Sequence, residues 1–154
     1  MQSNVLDVAV VGAGPAGIGM AIALARHGVR RCVVIDRHQV GASFLAWPQE
    51  TRFITPSFYS NPFGLADLNA VTETSSPALS AGMEHLDGPR YAQYLERVAQ
   101  AHEVPLALGC DVTGLTRGPR GEFRLDTSKG TALARSVVWL SLIHISEPTR
   151  LLSI

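Results

Sequence analysis

The residues in this chain whose types and spacing could do chemistry are Gly12, Gly14, Pro15, Ala16 and Gly17, followed by Asp36. They stand in the order strand, glycine turn, helix, strand, acid. Val8–Val11 is apolar, Ile18–Ala25 continues as an apolar helix, Cys32–Ile35 is a second apolar run, and Asp36 closes it. Gly12 allows the tight turn out of the first strand. Gly14 has no Cβ, so a pyrophosphate can approach the backbone there. Gly17, with Ala21 one turn later, lets the helix pack close to the strands. Unpaired N–H groups at the helix start and the positive end of its dipole suit phosphate. Asp36 lies 19 residues beyond Gly17, where a carboxylate can accept hydrogen bonds from a ribose. This constellation predicts dinucleotide binding.

Two plainer readings compete with it. Val8–Ala25 runs 18 residues without a charge, long enough to suggest a membrane span, and Gly17-x-x-x-Ala21 resembles a helix-dimerising pattern. The early glycines and Pro15 interrupt that segment, and Asp7 precedes it. Met1–Val5 has no basic residue, so it lacks the start of a signal peptide. A glycine-rich turn that holds no ligand is the other.

These residues need a frame, and the rest of the chain supplies the elements for one. With 154 residues, the chain amounts to about one domain, able to bury roughly two-thirds of its unfolded surface. Zero net charge gives no reason to invoke nucleic acid or an anionic membrane. Val5–Val11 reads as a buried parallel strand and Pro15–His27 as a helix apolar almost all round, expected to be covered on most sides. Arg37 to about Ser76 has little periodicity, yet Phe44, Trp47, Phe53, Phe58, Tyr59 and Phe63 fall within it, stiffened by Pro48, Pro56 and Pro62. An aromatic, proline-rich loop of this kind fits a large planar ligand, or else forms a satellite core of its own.

Asp87-Gly88-Pro89 opens a further helix, with Gly88 or Asp87 as cap, Pro89 at the first helical position, and Tyr91, Tyr94 or Leu95, and Val98 as its core stripe. Leu106–Leu108 is a candidate third parallel strand. From Cys110 the period changes to two. Val112 with Leu115, Phe123–Asp126 and Thr131–Val138 read as three strands joined by the turns at 118–121 and 128–130. The expected fold is therefore α/β, a Rossmann-like parallel sheet with helices plus a small antiparallel β-meander. Cys32 and Cys110 read as buried thiols in a reducing cytoplasm. The five histidines show no metal spacing and read as surface or capping residues.

Gly-Ala-Gly-Pro-Ala-Gly so near the N-terminus resembles the FAD site of two-dinucleotide-domain flavoproteins. This broad group holds flavin-containing monooxygenases and pyridine-nucleotide-dependent oxidoreductases. The acid in that group is most often glutamate, and aspartate at 36 keeps NAD open as an alternative ligand. Arg37 resembles the group's adenosine-side pattern. Gly41-Ala42-Ser43-Phe44, with Trp47 beyond, is similar to the Gly-Gly-x-Trp unit of flavin monooxygenases. The stretch from Trp47-Pro48 to Arg52-Phe53-Ile54-Thr55-Pro56-Ser57-Phe58 resembles a bacterial branch of such flavoproteins, monooxygenase-like or associated with ion transport. Disulfide reductases of the group carry a close cysteine pair, whereas Cys32 and Cys110 are 78 residues apart.

The resemblance implies the FAD-binding part of a flavin-dependent, NAD(P)H-using, monooxygenase-like oxidoreductase. NAD(P)H would be a co-substrate of the longer parent, and the substrate is not identified. Gly12, Gly14, Pro15, Ala16 and Gly17 would surround the pyrophosphate, and Asp36 and Arg37 would face the ribose. Ser43, Phe44 and Trp47 would lie on the flavin side, with the Val112 backbone near the adenine. The alternatives are a non-catalytic redox-sensing module associated with transport and a plain NAD-binding domain. Residues 1–139 are read as this domain, incomplete at its C-terminal end. Residues 140–154 are read as an artefactual tail, because Leu140–Arg150 resembles a translated sequencing-library adapter where the group carries a small-residue turn.

Overall fold

The computed structural model describes residues 5–54, 64–65 and 67–141. Six strands form one sheet in the order β3-β2-β1-β6-β5-β4. They are β1 (Leu6–Val11), β2 (Cys32–Ile35), β3 (Leu106–Ala107), β4 (Val112–Arg117), β5 (Phe123–Thr127) and β6 (Gly130–Trp139). β1 pairs in parallel with β2, placing Val10 opposite Val34, and β2 pairs in parallel with β3.

β6 has two partners. Its first half, Gly130–Ala134, is antiparallel to β5, and from Ala134 onward it runs parallel to β1. The third strand of the meander thus also fills the place beside β1. From Arg135 to Trp139, β6 pairs on one side only among the described residues.

Alternation along the strands sends side chains into two cores. Val8, Val10, Cys32 and Val34 meet the helices α1 (Pro15–Arg26) and α4 (Gly88–Ala101), while Ala9, Val11 and Ile35 share a second core with Leu125 of the meander. Ile18, Leu95 and Leu125 are wholly buried, and such burial contributes roughly 1.5–3 kcal/mol for each side chain. Two short helices, α2 (Ala42–Leu45) and α3 (Pro77–Ala81), lie in the connection between β2 and α4. Asp7, the one charge in β1, accepts hydrogen bonds from the Arg31 backbone N–H and guanidinium and lies 3.8 Å from Arg135. The Arg31 hydrogen bond holds its carboxyl below the usual carboxylate range.

Pro15 sits in the first turn of α1, and Gly28 just past its end takes φ +84°, a region open to glycine. As expected, α1 is covered on most sides, with eight of its twelve residues buried or half-buried. Gly17, Ile18, Ala21 and Ile22 are buried, but Ala23, Ala25 and Arg26 are exposed. The outward positions are alanines and Arg26, which leave little apolar surface in water. Among the described residues no helix is long and apolar enough to cross a membrane.

α4 begins on Asp87, whose carboxylate accepts from the Arg90 N–H at 2.9 Å and pairs with the Arg90 guanidinium. Burial pushes this carboxyl up, but the hydrogen bonds and charge of Arg90, helped by Arg52, outweigh it and hold the carboxyl below its ordinary value. Asp87→Ala is expected to cost about 1 kcal/mol at neutral pH, the usual worth of such a cap. Because the folded-state value is lowered, this stability is fully present above the ordinary carboxylate range and is lost as pH falls through the lowered value. Urea titrations of both proteins at neutral and strongly acidic pH check this, and the difference should shrink in acid.

Candidate functional site

The glycine turn is closed on two sides and open on the third. Gly12 leaves β1 with φ +113° and donates its N–H to the Ile35 carbonyl at 2.8 Å. A Cβ at Gly17 would stand 1.8 Å from the Gly12 carbonyl oxygen, so the helix start and the turn are in direct backbone contact. A Cβ at Gly12 would meet the Ser141 nitrogen at 2.9 Å, because Leu140 and Ser141 continue β6 across the turn. At Gly14 the same Cβ would meet nothing within 4 Å. Gly14 is also the N-cap of α1 and makes no side-chain cap. Pro15 has no N–H, so the first turn offers the N–H groups of exposed Ala16 and buried Gly17, which have no intrahelical acceptor.

Asp36 lies at the end of β2 and already has backbone partners. Its Oδ2 accepts from the Ala13 N–H and its Oδ1 from the His38 N–H, both at 2.8 Å. The carboxylate thus ties the glycine turn to the exit of β2. Asp36 is half-buried, as is Arg37 beside it. The Cys110 N–H donates to the Asp36 carbonyl at 2.9 Å, and Gly109 donates to that of His38, which brings the start of β4 to this end of the sheet. Val112, half-buried, is two residues beyond Cys110. Gly12–Gly17, Asp36, Arg37 and Val112 therefore line one edge, outside the C-terminal ends of β1 and β2, where open α/β sheets bind ligands.

α2 joins this edge through Gly41, whose N–H donates to the Ala13 carbonyl at 3.0 Å. Gly41 has φ +69°, and a Cβ there would lie 3.0 Å from Ala92 on α4. Ser43 is exposed, while Phe44 and Trp47 are half-buried. Phe44 and Trp47 have ring centroids 5.1 Å apart, and Phe53 lies 5.9 Å from Phe44 and 5.2 Å from Trp47. Phe44 and Phe53 pack against the core that holds Tyr91, and all three rings keep a partly exposed surface. Phe58, Tyr59, Phe63, Pro56, Pro62 and the stretch from Thr55 to Phe58 lie outside the described residues. So does the adapter-like run from position 142 onward.

Pattern reading of the sequence missed a polar cluster beneath this rim. Asp67 is wholly buried and accepts from the Asn69 N–H at 2.7 Å and the Ser76 hydroxyl at 2.6 Å. The Tyr91 hydroxyl donates to the Asn69 carbonyl, and the Tyr94 hydroxyl accepts from the Val71 N–H. The one local signal was Ser76-Pro77, a cap and first-turn pair that starts α3. Cys32 and Cys110 are both buried but belong to different cores, and burial pushes the Cys32 thiol up. Among the described residues no group of histidine, cysteine or acidic side chains could hold a metal.

This geometry has counterparts. The bacillithiol disulfide reductase of Staphylococcus aureus superposes with a TM-score of 0.74 at 16% identity, over 88% of this chain and 38% of that one. An NADP-bound steroid monooxygenase matches with a TM-score of 0.63 at 23% identity, over 86% of this chain and 25% of its own length. A cyclohexanone monooxygenase variant from Rhodococcus sp. Phi1, bound to NADP+, gives 0.65 at 21%, covering 88% and 26%. The chain thus spans between a quarter and two-fifths of these proteins, and at such identities the likeness is one of fold. The family described as pyridine nucleotide-disulphide oxidoreductase matches residues 9–141. With most of its length inside that match, the chain belongs to the pyridine nucleotide-disulphide oxidoreductase family.

Proposed function

We propose that this chain is the FAD-binding part of a flavin-dependent oxidoreductase that takes reducing equivalents from NAD(P)H. The observation that carries the reading is the contrast within the glycine turn. Gly12 and Gly17 are filled by backbone, whereas the space a Cβ would take at Gly14 is empty and lies at a helix N-terminus. That cradle fits a pyrophosphate. Pro15, Ala16 and Gly17 would flank the phosphates, Asp36 and Arg37 the ribose, and the Val112 backbone the adenine. Ser43, Phe44 and Trp47 would border the isoalloxazine.

Bound flavin supplies hydride acceptance from a nicotinamide and electron transfer onward. The chain's own contribution is to hold the phosphates, fix the ribose and shield one side of the ring with apolar surface. Monooxygenase-like use of those electrons is supported by the resemblance of Gly41–Phe44 and Trp47 to the flavin monooxygenase unit, while both monooxygenases and a disulfide reductase stand among the fold's counterparts.

Gly14→Val tests the cradle. Two methyls would enter the phosphate space while touching little of the protein, so FAD affinity should fall by at least about 1.4 kcal/mol, or tenfold. The unfolding midpoint should change only by the smaller cost of a poor N-cap. Titration of both proteins with FAD, ADP and NAD is the measurement. Unaltered FAD binding in Gly14→Val removes the phosphate assignment, and uptake of NAD without FAD favours a plain NAD-binding domain. Sustained NADPH oxidation by the flavin-loaded parent separates an enzyme from a sensing module.

A further inference from the structure

We infer that Tyr91 is a positioning residue that sets the pose of the flavin-side rings, so that its ring governs recognition of the flavin half of FAD and not of the ADP half. The inference rests on the proposed FAD reading and adds to it a residue on α4 that lies under the rim. Tyr91 is 4% exposed. Its ring centroid is 4.7 Å from Phe44, edge-on, and 4.6 Å from Phe53. Trp47 packs on the same two rings at 5.1 and 5.2 Å. The rings therefore run in sequence, with buried Tyr91 at the base, Phe44 and Phe53 between, and Trp47 beyond. A shift of the basal ring moves the two rings that carry Trp47.

The other end of Tyr91 is fixed as well. Its hydroxyl donates to the Asn69 carbonyl at 2.9 Å, in the segment running from Asp67 to Ser76. That segment also rests on α1, through Val71 against Gly19 and Glu73 at 3.6 Å from Arg26. Burial, with smaller effects of Tyr94 and Asp67, pushes the Tyr91 hydroxyl far above its ordinary value, so it stays a neutral donor. Any buried tyrosine hydroxyl needs such a partner, so it is the ring, packed under Phe44 and Phe53, that carries the positioning role. The hydroxyl is held by the segment from Asp67 to Ser76, whose contacts with α1 are made by Val71 and Glu73 and not by the residue that Tyr91 bonds.

The test uses the full chain with Tyr91→Leu and Tyr91→Phe, titrated with FAD and with ADP. Leucine removes the basal ring, whereas phenylalanine keeps it and loses only the hydroxyl. In a Trp139→Phe background, Trp47 is the sole tryptophan and reports the rim by its emission. The expected result is a tenfold loss of FAD affinity in Tyr91→Leu with ADP affinity within twofold of the parent. Trp47 emission should also be shifted, and Tyr91→Phe should restore both FAD binding and emission to within threefold and a few nanometres. Equal losses for FAD and ADP, or no loss for FAD, overturn the inference. Failure of the underlying reading looks different, because the unmodified chain would then bind FAD no better than ADP.

Discussion

Gly17→Ala is expected to destabilise the domain by at least about 3 kcal/mol, the upper range for overpacking a well-filled contact. The added Cβ would stand 1.8 Å from the Gly12 carbonyl oxygen and 3.0 Å from its carbon. Both atoms are backbone, so no side chain can rotate away. Relief requires the start of α1 to lift from β1, which also disturbs the Ile18 N–H to Gly14 carbonyl bond of the first turn. Domains of this size are stable by about 5–15 kcal/mol, so the loss is a large fraction of the whole. Gly14→Ala is the internal control, since its Cβ meets nothing within 4 Å. Urea unfolding followed by far-UV circular dichroism should show a large fall in midpoint for Gly17→Ala and a small one for Gly14→Ala. Equal midpoints for the two variants would falsify the closed-and-open description of the turn.

The second large effect is expected at Asp36. Spacing alone predicts that Asp36→Ala weakens dinucleotide binding by about 1.5–3 kcal/mol, the worth of a hydrogen bond to a charged group. The structure adds a separate cost in the absence of any ligand. Without the carboxylate, the Ala13 and His38 N–H groups lose their acceptors. Ala13 is buried, so water replaces its lost partner poorly, while His38 is exposed and recovers most of its loss. The expected fall in stability is about 2 kcal/mol, with Asp36→Asn losing less because its amide oxygen can still accept one of the two bonds. Thermal unfolding of the ligand-free proteins isolates this cost, and titration with FAD and NAD isolates the ribose contact. A drop in affinity with unchanged stability leaves Asp36 as a ribose acceptor only. The opposite pattern makes it only a latch for the turn.

Local rules of the chain were enough for several elements. The helix from Pro15 and the strand Cys32–Ile35 depend on contacts within a few residues, so composition and spacing determine them. The same holds for Gly28, where only the end of α1 decides that φ must be positive. Of the two caps the sequence offers for α4, Gly88 and Asp87, the structure takes Asp87. What sequence could not decide is which distant group each residue meets. Period-two alternation in Thr131–Val138 is identical for parallel and antiparallel partners, so nothing local showed that β6 takes β5 on one half and β1 on the other. Tyr91 falls on an apolar helical stripe and reads as core, and it is core; its contacts with Phe44, Phe53 and Asn69 appear only when α2 and the segment from Asp67 fold onto α4. Asp36 was legible as an acid at ribose-binding distance, but its bond to Ala13 spans 23 residues. Such a partner is chosen by the packing of β1 against β2, because a carboxylate in sequence has no direction until the sheet gives it one.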